Sequence, residues 1–296
     1  MAKSSFSYSG SGFKDWSGDN GEGKDKDFYR EHGITRTSFA DRVREDRRRT
    51  AECKTLKSET VFEIIAFLYE VRGGENYMIG EAITQSEHVL QAAALAEQAG
   101  APESMVIAAL FHDIGHVAYI LDPHAAEKGV DTKHEALGAR YLMEQGFPES
   151  VVYLVQQHVN AKRYLVSTDS AYESQLPPAS VTSLKLQGKK MSPEDVEAFE
   201  ASPVFKDTVP LHFIDEMSKV AGLKVPGFRH YKAMMCRVLL QQPEAFVAKD
   251  DNYRENLRES YQLMVSDPAQ WESQLRERSA SFVSRSMTKK PAVLGV

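Results

Sequence analysis

The sequence predicts an all-α protein with helical extensions at both ends. Two observations carry this. Runs with strand-type alternation are few, whereas apolar residues recur at helical spacing through most of the chain. Helix stops and starts are punctuated by glycine and proline, as at Gly73-Gly74, Gly100-Ala101-Pro102 and Gly146-Phe147-Pro148. Histidines and aspartates sit within or at the ends of the amphipathic stretches. With 296 residues, 42% of them hydrophobic, the chain can bury a sizeable core.

In chain order, residues 1 to about 27 are rich in Ser, Gly, Asp and Lys, with Phe6, Tyr8, Phe13 and Trp16 among them. Such a composition forms no core alone, so the expectation is a mobile tail or an arm whose aromatics dock on the domain or a second subunit. Thr37 to Thr50 reads as a charged helix, its arginines interrupted by acids and thus a solvated face. Thr60 to Val71 has helical apolar spacing and stops at Gly73-Gly74; a loop follows to Gly80. A long helix runs from about Glu81 to Gln98. Pro102-Glu103 opens a nearly all-apolar helix that reaches His112 and should be central. Tyr119 to Asp131 reads as a loop. His134 opens a helix ending at Gly146, and Pro148 opens the helix of His158, which leads into Ala161 to Leu165. Ser192-Pro193-Glu194-Asp195 looks like a capped start, Pro203 breaks the pattern, and Leu211 to Gly222 is helical again. Residues 230 to 285 read as further amphipathic helix. The expected organisation is a tail and charged helix over 1–50, a central domain over 51–228 and a helical extension over 229–296.

The most specific stretch is Ala108-Ala-Leu-Phe-His-Asp-Ile-Gly-His116. On a continuous helix, residues four apart share a face, so His112 and His116 are expected to point into one space, with Asp113 reaching a metal from the side. A carboxylate has two oxygens with which to bridge two ions. Taken with His88, His134, His158 and Asp215 on other helical segments, the order is His, His-Asp, His, His, Asp. Six such ligands suffice for two borderline or hard divalent metals with positions left for substrate. Each histidine alone is more often a surface or core hydrogen-bonded residue; the joint arrangement is what points to metal. His32, His124 and His230 have no ligand-rich neighbourhood. Glu81 could merely favour the helix dipole. Lys162, four residues beyond His158, is either an ordinary exposed lysine or one that attracts an anionic substrate.

A net charge of -6 and a pI near 5.9 argue against a nucleic-acid-binding surface. The two cysteines imply neither a disulfide framework nor a cysteine zinc site. No apolar run approaches ~18 residues, so no membrane span is expected, and the N-terminus lacks a secretory signal's apolar segment. The expected location is the cytoplasm and the expected partner a small-molecule substrate, with homo-oligomerisation open.

The His112-Asp113 pair, its flanking histidines and the distal aspartate resemble the HD-domain superfamily, helical bundles around a metal site. The fuller pattern is similar to the HD-domain mixed-valent diiron oxygenases typified by 2-amino-1-hydroxyethylphosphonate dioxygenase; myo-inositol oxygenase is a more distant relative with different spacing. The likeness covers about Tyr77 to Gly222. It rests on Ile79-Gly-Glu-Ala-Ile-Thr-Gln-Ser-Glu-His88, His112-Asp-Ile-Gly-His116, Lys133-His134-Glu135, His158-Val-Asn-Ala-Lys-Arg-Tyr-Leu165 and Asp215, with intervals of 24, 22, 24 and 57 residues between ligands. The resemblance implies that His88, His112 and Asp215 hold one iron and His134 and His158 the other, with Asp113 bridging a mixed-valent Fe(II)/Fe(III) pair. It places Glu81 on a substrate ammonium group and His116, Lys162 and Ser180 at substrate-binding or outer positions, His116 and Lys162 being the candidate catalytic side chains. The implied reaction uses O2 to cleave a C-P, or in other members a C-C, bond of a small 1-hydroxylated substrate, as in organophosphonate catabolism.

Two positions depart from the group's pattern. Met78 stands where an iron-touching tyrosine is expected, with Tyr77 beside it, and His212 stands where an arginine clamps the phosphonate. Both Tyr77 and His212 are retained as candidate substrate contacts. The alternative is an HD phosphohydrolase that activates water against a nucleotide or small phosphoester without O2. A third, non-catalytic reading would expect a lost ligand, and all six are present.

Overall fold

The computed structural model describes residues 36–73, 82–122, 124–176 and 178–288. The N-terminal aromatics, His32, Tyr77, Met78 and Glu81 lie outside the described residues. The chain divides at 51/52 into two compact units. In the first, the described residues 36–51 are helical backbone, the start of α1 (Arg36–Leu68). All elements below belong to the second.

Among the described residues there is helix and no strand, and the fold is all-α. The expected pair of helices over 37–50 and 60–71 is one helix, α1. The intervening Ala51-Glu-Cys-Lys-Thr-Leu-Lys-Ser-Glu59 holds neither glycine nor proline, so nothing in it stops propagation. A single wider turn, Tyr69–Gly73, ends it.

Helix α2 (Gln85–Gln98) starts at a reciprocal cap in which Thr84 and Glu87 each satisfy the other's backbone N–H, which sets where His88 leaves the first turn. Helix α3 (Glu103–Phe111) is buried along its whole length, as its unbroken apolar sequence requires. Then come α4 (Ile114–Ala118), α5 (His134–Gln145) and α6 (Glu149–Thr168). Two short helices, α7 (Tyr172–Gln175) and α8 (Pro178–Leu186), were not expected from the sequence. Helices α9 (Pro193–Glu200) and α10 (Phe205–Met217) follow. The C-terminal part holds α11 (Lys232–Leu239), α12 (Tyr253–Ser266) and α13 (Pro268–Thr288).

The central layer is α2, α3, α6 and α10, which pack on one another, with α4 and α5 closing one side. On the other side α11 packs on α3 and α12 on α10. Arg237 of α11 grips Glu103 at the start of α3 through two hydrogen bonds of 2.7 and 2.6 Å. Tyr231, Met235, Val238, Leu257, Trp271 and Leu275 are all buried in the common core. No helix among the described residues is long and apolar enough to cross a membrane.

Candidate metal centre

The His-Asp pair sits at a break in the chain. Helix α3 ends at Phe111, Asp113 has φ -102° and ψ 13°, and α4 begins at Ile114. His112 and His116 therefore do not share a helical face as the spacing alone predicts. The break turns His112 toward His88, and His116 instead stacks on His134, with ring centroids 4.4 Å apart. Gly115 makes this possible: a Cβ there would lie 2.2 Å from the His134 carbonyl oxygen.

Four imidazoles meet in two pairs. Nε2 of His88 lies 3.0 Å from Nε2 of His112, and Nε2 of His134 lies 3.1 Å from Nε2 of His158. Asp113 stands between the pairs. Its Oδ2 faces His88 and His112 at 3.8 and 3.7 Å, and its Oδ1 faces His134 and His158 at 3.4 and 3.9 Å. Asp215 of α10 places Oδ1 3.3 Å from His88 and 3.8 Å from His112. The structure thus brings together all six side chains singled out in the sequence.

The other ring nitrogens decide what these pairs can hold. Nδ1 of His88 is 3.0 Å from the Ser218 carbonyl oxygen, Nδ1 of His112 is 2.8 Å from that of Ala109, and Nδ1 of His158 is 2.6 Å from that of Val155. A carbonyl only accepts, so each Nδ1 carries the proton and each Nε2 presents a lone pair to the centre. Two lone pairs facing at 3.0 Å repel unless a cation lies between or beside them. The donor set of imidazole nitrogens and carboxylate oxygens fits first-row divalent metals such as iron, and the outer carbonyl contacts are those that orient metal-binding histidines.

Charge states agree except at His88, where burial favours the neutral ring but the hydrogen bond and charge of Asp215, with Asp113, raise the pKa. Burial, and then the charge of His112, brings His158 down to about 4, and burial and His116 hold His134 well below the usual histidine range. Burial opposes ionisation of Asp113, yet the surrounding imidazoles, His112 foremost, hold its carboxyl far below normal. Burial likewise opposes ionisation of Asp215, and Lys219 with His212 and His88 overcomes it. The carboxylates are ionised and these two histidines neutral, as metal ligation demands.

Beside the centre lies a cavity of about 420 Å³. Lys162 projects into its wall from α6, buried, with Nζ donating to Ser183 Oγ at 2.9 Å. Burial pulls its ammonium pKa down, against the charges of Asp215 and Glu216. Lys219 reaches Glu216 at 3.3 Å and Asp215 at 3.8 Å. Ser180 of α8 lines the cavity and donates to Glu216 Oε1 at 3.0 Å. His116, half-buried, lines it next to Asp113, and burial lowers its pKa. His212 also lines it, with its ring nitrogens toward Tyr172 and Asp215. Val117, Leu121, Ala125, Ala126 and Val130 form an apolar wall.

Sequence reasoning did not find Gln85, whose Nε2 donates to Asp113 Oδ2 at 2.6 Å, nor Glu216, Lys219 and Tyr172. A lone polar residue in a helix carries no periodic signal. His230, read as bland, pairs with Glu97 at 2.8 Å, and His124 is exposed beside Glu127.

Comparison with known proteins agrees with this geometry. Residues 86–201 match the HD domain family. The chain is 39% identical over 184 residues, 62% of its length, to 93% of a [1-hydroxy-2-(trimethylamino)ethyl]phosphonate dioxygenase (glycine-betaine-forming) of Leisingera caerulea. It is 37% identical over 179 residues, 59% of its length, to 87% of a hydroxymethylphosphonate dioxygenase of Gimesia maris. An uncharacterized protein of Acanthamoeba polyphaga mimivirus is 36% identical over 173 residues, 58% of this chain and 78% of its own. With six candidate metal-ligating side chains gathered in the expected order, Asp113 among them between the two imidazole pairs, and relatives of this kind matched over most of their length, the chain belongs to the HD-domain oxygenase family.

Proposed function

We propose that the protein is a diiron oxygenase that uses O2 to cleave the C-P bond of a small 1-hydroxylated phosphonate bearing an amine. The observation that carries this is Asp113, with one carboxylate oxygen toward each of two imidazole pairs. The names of the Leisingera and Gimesia relatives supply the substrate class. His88, His112 and Asp215 would hold one iron, His134 and His158 the other, and Asp113 would bridge them. When bound as a mixed-valent pair, the irons supply O2 reduction and accept electrons from the substrate.

The chain's own residues would do the rest. Lys162 and Lys219 place positive charge at the cavity beside the centre, suited to a phosphonate dianion. The apolar side chains Val117, Leu121, Ala125 and Ala126 beside those charges would lower the local dielectric and strengthen the contacts. His116, kept neutral by burial, lies where it could take the proton of the substrate hydroxyl. Glu81 would meet a substrate ammonium group, as the family likeness implies.

Anaerobic loading with iron and partial oxidation should give the EPR signal of a mixed-valent diiron pair, altered when a 1-hydroxyphosphonate is added. O2 uptake should then match phosphate release. Phosphoester hydrolysis with Mn(II), indifferent to O2 and without that signal, would establish the phosphohydrolase alternative instead.

A further inference from the structure

Asp215 turns only one oxygen toward the imidazoles. Its Oδ2 points outward to His212, with Nδ1 of that ring 3.6 Å away. The ring is fully buried, and Nδ1 makes no hydrogen bond, although a small rotation of the carboxylate would close one. On the far side, Nε2 of His212 meets the Tyr172 hydroxyl at 2.6 Å. Behind Tyr172 lies Tyr261 of α12, its ring centroid 6.1 Å from that of Tyr172 and stacked at 4.6 Å on Phe213 of α10. Helices α10 and α12 both fall outside residues 86–201, the stretch that matches the HD domain.

Two neighbours select the same tautomer of His212. A bare Nδ1 lone pair would face a carboxylate and be repelled, so the proton belongs on Nδ1. Nε2 is then an acceptor, and the Tyr172 hydroxyl donates to it. Burial, then the charge of Glu216, pushes the Tyr172 phenol far up, so its proton is available to donate.

We infer that Tyr172 and His212 form a relay that fixes the outer oxygen of Asp215, and hence the coordination geometry of the ion held by His88, His112 and Asp215. Tyr172 holds His212 with Nδ1 protonated; His212 donates to Asp215 Oδ2; the carboxylate then keeps Oδ1 on the metal side. Both are positioning residues. The inference rests on the reading of the cluster as a two-metal site, and it concerns one of the two positions only.

The test is a titration of Zn(II) into metal-free protein against a chromophoric chelator, which needs neither O2 nor phosphonate. Two binding steps are expected; the step lost in His88→Ala and the step lost in His134→Ala identify the two positions. Tyr172→Phe and His212→Gln should weaken the first step by about 10–100-fold, the usual cost of losing an outer hydrogen-bond partner, and leave the second unchanged. His212→Asn puts an amide N–H near the place of Nδ1 and should recover most of the loss, after which adding Tyr172→Phe costs nothing more. In native protein labelled with 15N in its histidine rings, the His212 resonances should be those of the Nδ1–H tautomer. Equal loss at both steps, no loss, Asn no better than Gln, or an Nε2–H tautomer would each overturn the relay. Two intact steps without oxygenase activity would instead count against the proposed function, and absence of two steps would overturn both.

Discussion

At the scale of single residues, Asp113 carries the most. Asp113→Asn keeps the volume but removes the charge facing both imidazole pairs, so metal content at both positions should fall together in elemental analysis. Loss at one position alone would contradict the shared-carboxylate reading. Lys162 acts differently, because its ammonium lines the cavity, donates to Ser183 and offers no lone pair to a metal. Lys162→Met should leave metal content intact and raise KM for a phosphonate by roughly 10–100-fold, the equivalent of one charge-assisted contact of about 1.5–3 kcal/mol. A change in metal content with KM unaltered would reverse that assignment. The six side chains that meet in the cluster were legible in the sequence because metal chemistry restricts residue type and the helices restrict spacing. Gln85, Glu216 and Tyr172 were not, since their roles depend on which helices come to lie side by side, and Tyr172 sits in a helix of four residues that no periodicity could reveal.

At the scale of elements, the decisive feature is the break between α3 and α4. The apolar run Met105 to Phe111 announced a central helix, and α3 is one. What spacing could not tell is that the helix stops at the pair itself, because the stop is enforced by tertiary packing of α4 against α5 at Gly115. Gly115→Ala would drive a methyl into the His134 carbonyl. We expect it to cost about 1–3 kcal/mol, as overpacking does, and to move His134 away from His158. Thermal denaturation and metal titration should then both worsen; a variant with native Tm and native metal affinity would mean that α4 and α5 can slide apart freely. Helix α1 shows the converse error, two helices expected and one formed, since weak amphipathicity between two clear segments does not by itself break a helix.

At the scale of the whole molecule, the C-terminal helices complete the core. Arg237 and Glu103 form a forked ion pair, largely shielded, between α11 and the start of the helix that delivers His112. Arg237→Met should lower stability by about 1–3 kcal/mol in chemical denaturation, with no direct effect on the cavity. Truncation after Gly227 would strip away Tyr231, Met235, Leu257 and Trp271 at once, and we expect no cooperative unfolding transition to survive it. The connections across the centre are also long in sequence. His88 depends on Ser218, 130 residues further on, to orient its ring, and Asp215 lies on α10, the helix that Ser218 ends. A ribosome-bound chain that has not yet extruded α10 thus holds five of the six ligands with one imidazole unanchored. Loading of the centre would therefore wait until nearly three quarters of the protein has left the exit tunnel, which puts metal delivery late in synthesis or after it. Nascent chains stalled before Phe205 should retain no metal through gel filtration, whereas chains stalled only after the C-terminus has cleared the tunnel should.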